Sequence, residues 1–330
     1  MQCRLCKESA SVIAKDYLGY QKGVRFDIYQ CKHCDTNFVL PTDFTEDIYQ
    51  YIYANPEKTP GYNRYYYYAE NVKNHSDPIS FLSERESMYW AAYQTVKSFN
   101  DKEIQILEVG SGLGYLTYSL RKAGYKAHGI DISSNAVEAA KKNFGDYYIA
   151  ADIFEFNKSN QKAYDLIILT EVIEHLEDPV NFIKCLLKML KDNGKILITT
   201  PNKSVNIPSL PWMTELPPVH LWWFSEHSVK SLAAQLDCNY ELLNFKEFNR
   251  NNFDKMRYTF YKGYEQSPIL NEAGGLINPE TWEEEKANNF KATLQHIYAR
   301  VAELPILSSF LVRKEYPINK SSTLAFVLKK

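Results

Sequence analysis

Four of the six cysteines fall into two pairs, Cys3-x-x-Cys6 and Cys31-x-x-Cys34, leaving Cys185 and Cys238 as singletons. Each pair presents two thiolates to one edge of a metal ion, and two such turns close a tetrahedral S4 site that suits structural Zn²⁺ and leaves no open catalytic position. Two disulfides would use the same residues, but the N-terminus, MQCRLCKESA, has no apolar signal core, and a reducing compartment disfavours disulfides. A second constellation is the run Glu108-Val109-Gly110-Ser111-Gly112-Leu113-Gly114. A dinucleotide fingerprint would place its third glycine at 115, which is Tyr115, so the loop is not a pyrophosphate cradle and NAD or FAD is not expected. What it offers is close backbone approach and exposed N–H groups for an uncharged or carboxylate-bearing ligand. Further on, Asp131 has two acceptor oxygens that can take both hydroxyls of a ribose. A third constellation, Glu171-Val172-Ile173-Glu174-His175, sets two acids and an imidazole within one turn, and His220 could fold back onto it.

These groups need elements to hold them. Tyr29 to Cys31 and Phe38 to Leu40 read as short strands carrying the cysteine turns, with Pro41 ending a small zinc ribbon over residues 1–41. Residues 42–100 are acidic and tyrosine-rich, including Tyr65-Tyr66-Tyr67-Tyr68, with helical spacing from Ser83 to Phe99; they form a helical connector whose tyrosines are either plain core or part of a lid. From there the pattern alternates. Ile104–Val109, Ala127–Ile130, Tyr147–Ala150, Leu166–Leu169 and Lys195–Thr200 are strands, separated by helical stretches over Leu116–Ala123, Ser134–Asn143 and Val180–Leu190. Such alternation predicts an α/β, doubly wound parallel sheet with its ligand beyond the strand C-termini, beside the first strand–helix turn.

With 45% hydrophobic and 24% charged residues in 330, the chain can build a sizeable core. Its formal charge of −2 gives no global positive field, so nucleic acid is not the expected partner. No apolar run reaches the roughly 18 to 20 residues of a membrane helix, and a cytoplasmic location is expected.

The central region resembles the class I S-adenosylmethionine-dependent methyltransferases, from about Ile104 to Phe245. Ile106 to Gly114 matches the family's first motif, which implies that Gly110, Gly112 and Gly114 let the methionine part approach and that Glu108 orders the loop. Gly129-Ile130-Asp131-Ile132-Ser133 matches the ribose-binding position, and Ala151-Asp152-Ile153 the position where an acid caps the adenine amino group. The resemblance therefore implies S-adenosylmethionine as cofactor, with Ile132, Ile153 and Glu171 also lining it. Tyr164 to Leu176, Pro201-Asn202 and Pro217 to Ser225 match a large subgroup in which the last stretch borders the acceptor pocket. The family's sheet has seven strands and ends in an antiparallel hairpin; Tyr240–Phe245 and Ser322–Leu328 fit it. The methyltransferase domain is then 101–248 with 321–330, and 249–320 is an insertion, with a helical run near Trp282 to Val301, that caps an acceptor pocket or serves as an oligomer surface. A ribbon followed by an aromatic connector is also similar to a bacterial branch whose members modify sugars and other small metabolites, so a small-molecule acceptor, a sugar or glycan precursor, is expected, with O- or C-methylation.

Methyl transfer from a sulfonium is an in-line displacement in which much of the catalysis is positioning. His220, His175 and Glu174 are the candidate bases for a hydroxyl or acidic carbon, while His227 reads as a solvated helix residue. In an alternative, Glu171, Glu174, His175 and His220 form an O/N site for a divalent metal; small-RNA 2′-O-methyltransferases and some quinone O-methyltransferases use a similar Glu-x-x-Glu-His arrangement. A third reading is a binding protein that keeps the fold without catalysis; the intact glycines, Asp131 and Asp152 argue against it.

Overall fold

The computed structural model describes residues 1–42, 46–205, 215–252, 267–282 and 318–330. The N-terminal module carries three strands: β1 (Ser11–Leu18), β2 (Arg25–Cys31) and β3 (Thr36–Leu40). β1 has no clear alternation, with a burial pattern that stays half-exposed, which is why the sequence did not announce it. The segment that follows carries α1 (Glu46–Ala54), α2 (Asn63–Asn71), α3 (Pro78–Ser83) and α4 (Ser87–Lys97). Asp77 starts α3 by accepting a hydrogen bond from the Ser80 amide, with Pro78 in the first turn where its missing N–H costs nothing.

The central region then alternates β4 (Gln105–Val109), α5 (Tyr115–Lys122), β5 (Lys126–Asp131), α6 (Ser134–Phe144), β6 (Tyr148–Ala150), α7 (Ile153–Asn157), β7 (Tyr164–Thr170), a 3₁₀ turn (Ile173–His175), α8 (Pro179–Met189) and β8 (Leu190–Pro201). After it come β9 (Trp222–Trp223), α9 (Glu226–Leu236), β10 (Asn239–Leu242), α10 (Lys246–Asn251) and β11 (Thr323–Lys329). Seven strands form one sheet in the order β10-β11-β8-β7-β4-β5-β6. β4 to β8 run parallel, while β11 is antiparallel to both β8 and β10. The first strand of the alternation, β4, lies between β5 and β7, so the chain reverses its direction of winding there and opens a crevice at the strand C-termini. β10 ends at Leu242, earlier than its sequence pattern, because Phe245 turns into the N-cap of α10.

Alternate residues of the parallel strands face opposite layers. Leu107, Val109, Ile167 and Leu169 join one core cluster, and Ile106, Leu166 and Ile168 another. The first cluster runs without interruption into the N-terminal module through Leu5, Phe26, Phe38 and Trp222. The second takes in the connector through Tyr68, Leu82 and Val96. Module and connector thus cover opposite faces of the sheet. The docking is covalently simple and hydrogen-bonded: β3 pairs with β9, Asn37 opposite Trp223 and Phe38 opposite Trp222, completing a second sheet of order β1-β2-β3-β9. Of the segment 249–320, residues 267–282 are described and reach the module, where Leu270 bridges Gln21. The helical run expected from Trp282 to Val301 lies, beyond Trp282 itself, outside the described residues. No described helix is long and apolar enough to cross a membrane.

Candidate functional site

The glycine loop follows β4 and precedes α5, as its sequence requires. All three glycines have positive φ, at +75°, +46° and +83° for Gly110, Gly112 and Gly114. A Cβ on Gly110 would meet Val172 at 2.5 Å, and one on Gly114 would meet Ala140 and Tyr148 at 2.7 Å, so these two are glycines for internal packing. A Cβ on Gly112 meets nothing within 4 Å: this is the open face of the loop, where a ligand can approach the backbone. Four of the loop's N–H groups are engaged within the fold: Gly110 and Ser111 donate to the Ile130 carbonyl, Gly112 to Asp131 Oδ2 at 2.7 Å and Gly114 to the Ser111 carbonyl.

Asp131 is therefore an organiser as well as a candidate ribose ligand. Its Oδ1 accepts from the Ser133 amide and its Oδ2 from Gly112, each oxygen keeping a further lone pair. Beside it Ile132 is 78% exposed, an apolar side chain held out at the crevice. Asp152 caps α7 through Oδ1, bonded to the amides of Phe154 and Glu155, and its Oδ2 takes no hydrogen bond among the described residues. Ile153 is buried and joins the first core cluster. Glu108 is also buried, its Oε2 accepting from the Thr117 hydroxyl of α5, and loss of water raises its carboxyl to about 8. It ties the strand before the loop to the helix after it.

The Glu-x-x-Glu-His motif leaves β7 through Glu171, at φ +55°, and closes into the 3₁₀ turn. Glu171 Oε1 accepts from Thr199 at 2.9 Å and Glu174 Oε2 from Thr200 at 2.9 Å, so β8 fixes both acids. Burial raises Glu171 to about 7 and holds Glu174 well above the usual carboxylate range. His175 Nε2 lies 3.8 Å from Glu174 Oε1, and the rings of His175 and His220 meet edge-on with centroids 4.7 Å apart. One ligand atom from each of Glu174, His175 and His220 falls within 4.8 Å of the others. Glu174 Oε1 and His220 Nδ1 are buried without a hydrogen-bond partner among the described residues. Burial lowers His175 to about 4 and His220 further, so both imidazoles are neutral near pH 7. Two neutral imidazoles and a carboxyl group whose ligand atoms lie this close together, two of them unpaired, make a donor set that fits a divalent cation. Glu171 joins this centre through its charge on Glu174 but is not one of the three converging ligands. His227 is exposed on α9.

Several side chains of the site lie in segments the motifs did not mark. Tyr49, Tyr53, Tyr62, Tyr65 and Glu171 keep partly accessible surface, yet withdrawal from water is the leading influence on each one's titration. The tyrosine-rich connector is divided: Tyr68 is core, edge-on to Phe81 and Tyr89, while Tyr65 keeps partly accessible surface within electrostatic reach of Glu171. Arg64, ion-paired with Glu86 at 3.4 Å, and the buried Glu215, raised to about 8 by desolvation and the charge of Glu171, complete the charged groups.

On the far side of the motif sit the cysteines. Cys3 and Cys34 Sγ are 3.7 Å apart and Cys6 and Cys31 Sγ 3.5 Å, with all four sulfurs within 4.8 Å. These separations are too long for disulfides, at about 2.05 Å, and match the roughly 3.8 Å edge of a tetrahedron with metal–sulfur distances of about 2.3 Å. Burial pushes the Cys6 thiol up to about 11, and the Cys3 thiol beside Cys34 raises that one further; a cation reverses both shifts. The geometry is compatible with a zinc ribbon.

A seven-stranded sheet with this strand order, an open glycine loop at its switch point and an acid at the end of the second strand define a class I S-adenosylmethionine-dependent methyltransferase domain. Residues 81–243 match the family model described as a methyltransferase domain, and the chain carries that domain. It is 35% identical over 112 residues to the ubiquinone biosynthesis O-methyltransferase of Rickettsia typhi, covering 32% of this chain and 45% of that protein. To the mitochondrial ubiquinone biosynthesis O-methyltransferase of Bos taurus it is 33% identical over 109 residues, 31% of this chain and 30% of that one. The chain spans less than half the length of these relatives. Among solved structures, a SAM-dependent methyltransferase from Archaeoglobus fulgidus aligns over 74% of this chain and 96% of its own, at 15% identity and a TM-score of 0.43.

Proposed function

We propose that this chain transfers the methyl group of S-adenosylmethionine to a hydroxyl of a small aromatic acceptor bearing two adjacent ring oxygens, with Glu174, His175 and His220 holding a divalent cation at the acceptor site. The observation that carries this reading is the convergence of those three side chains with two of their buried ligand atoms unpaired. The relatives named for ubiquinone biosynthesis support an aromatic acceptor; the sugar or glycan expected from the N-terminal module finds no counterpart among them. When bound, the cation would lower the pKa of a hydroxyl coordinated to it and fix the neighbouring oxygen.

The chain's own residues do the rest. Gly112 and Asp131 seat the cofactor at the switch point, with Ile132 against its base and Asp152 Oδ2 free for the adenine amino group. The acceptor oxygen attacks the methyl carbon as the carbon–sulfur bond breaks; the sulfonium becomes a neutral thioether, and the acceptor's proton passes to solvent or to Glu171, whose carboxyl at about 7 is matched to that task. The connector tyrosines Tyr49, Tyr53, Tyr62 and Tyr65 exclude water and place the ring in line. At the other end, Cys3, Cys6, Cys31 and Cys34 hold one structural Zn²⁺.

The test is transfer of labelled methyl, with Mg²⁺ present, to 3,4-dihydroxybenzoate, a methyl hexoside and an RNA oligomer offered separately. Label in the phenol is the expected result. Label in the hexoside alone replaces this acceptor with a sugar, label in the RNA with a polynucleotide, and none with S-adenosylmethionine bound points to a binding protein.

A further inference from the structure

The hydroxyl of Tyr20 is buried and has no hydrogen-bond partner among the described residues. Its backbone is fully engaged: the amide donates to the Pro217 carbonyl at 2.7 Å, and its carbonyl accepts from Ile269 and Leu270 at 2.8 and 2.9 Å. Residue 20 is therefore held in place from two directions, by the segment leading to His220 and by the segment after residue 266. The side chain sits in an apolar collar of Ile48, Ile52, Leu216 and Val219, none of which offers its hydroxyl a side-chain partner. Past the collar, Tyr20 lies within electrostatic reach of the Tyr49 and Tyr62 phenols. Tyr49 in turn places its hydroxyl 2.8 Å from His175 Nδ1 and donates to the Val219 carbonyl at 2.9 Å.

An unpaired buried hydroxyl costs on the order of 1–3 kcal/mol, and a phenylalanine would fill the same space without that cost. Tyr49 links it to the Glu174–His175–His220 centre, so the missing partner is one a ligand bound there can supply. We propose that Tyr20 is a specificity determinant for the acceptor: its hydroxyl hydrogen-bonds an oxygen substituent, a carboxylate or carbonyl, on the part of the acceptor remote from the methylated hydroxyl. The N-terminal module, beyond holding its metal, then supplies part of the acceptor site. This inference rests on the aromatic-acceptor reading above.

The experiment compares wild type and Tyr20→Phe on two probes, 3,4-dihydroxybenzoate and catechol, which lacks the carboxylate, with S-adenosylhomocysteine affinity and Tm measured alongside. Expected is a rise of about 10-fold in KM for 3,4-dihydroxybenzoate in the variant, with KM for catechol and S-adenosylhomocysteine affinity unchanged and Tm no lower than wild type. Equal KM values in the two proteins overturn the inference while leaving the acceptor reading intact. A parallel rise for both probes with a lowered Tm also overturns it, in favour of a packing role. A wild type that methylates neither probe refutes the acceptor reading, and the inference falls with it.

Discussion

The Nδ1 atom of His175 lies 2.5 Å from the carbonyl oxygen of Val219. A carbonyl oxygen only accepts, so this contact favours a proton on Nδ1, which would leave the lone pair on Nε2, the nitrogen 3.8 Å from Glu174 Oε1. A backbone oxygen orienting an imidazole in this way is the supporting contact metal-binding histidines commonly make. The expected ¹⁵N signature at pH 7 is a neutral His175 in the Nδ1–H form; an Nε2–H tautomer would remove Nε2 from the ligand set.

The proposed cofactor site rests on Gly112 and Asp131. Gly112→Arg puts a long side chain into the open face of the loop at a positive φ, and Asp131→Ala removes the acceptor of the Gly112 amide together with the proposed ribose ligand. Calorimetry should find S-adenosylhomocysteine binding abolished in both. Unchanged affinity in both variants would refute this cofactor assignment.

The purified protein should contain about one zinc per chain. Cys31→Ser should lose it and unfold the N-terminus first. The damage should extend to the peptide around His220, because Val39 donates to the Leu221 carbonyl and Leu221 to that of Glu174. Hydrogen exchange reads this directly: loss of protection over 36–40 and 219–224 is expected, with 104–131 unaffected. A metal-free wild type contradicts the four-thiolate site.

Glu108 gives the fold a pH dependence of known sign. Its folded pKa of about 8 lies above the ordinary 4.5 because the carboxyl is buried. Its contribution is complete below pH 4.5, and is lost as pH rises through 8, since the unfolded chain gives up a proton that the folded chain retains. The span corresponds to on the order of 5 kcal/mol. Glu108→Gln lacks this titration, so its stability relative to wild type should improve between pH 5 and pH 8.5 in chemical denaturation. A difference independent of pH would show that Glu108 titrates normally.

The parts of this molecule that local chemistry dictates were legible in its sequence. The glycine loop, Asp131 and the Cys-x-x-Cys pairs each encode their geometry within a few residues, and the parallel strands read as apolar runs because both of their faces are buried. The two-residue β9 was not legible: a strand that short has no periodicity, and it exists through pairing with β3 far away in the chain. The neighbours of the motif were invisible for the same reason. Tyr20, Arg64 and Glu215 carry no spacing signal, and only the docking of three distant segments brings them to the motif that contains Glu174.

The convergence of Glu174, His175 and His220 is the centre of this account, and Mn²⁺ titration of the zinc-loaded, S-adenosylhomocysteine-bound protein tests it most directly. One Mn²⁺ site is predicted in the wild type, lost in Glu174→Gln and His220→Ala while both variants retain S-adenosylhomocysteine. No Mn²⁺ binding in the wild type, or binding undiminished in both variants, would contradict it.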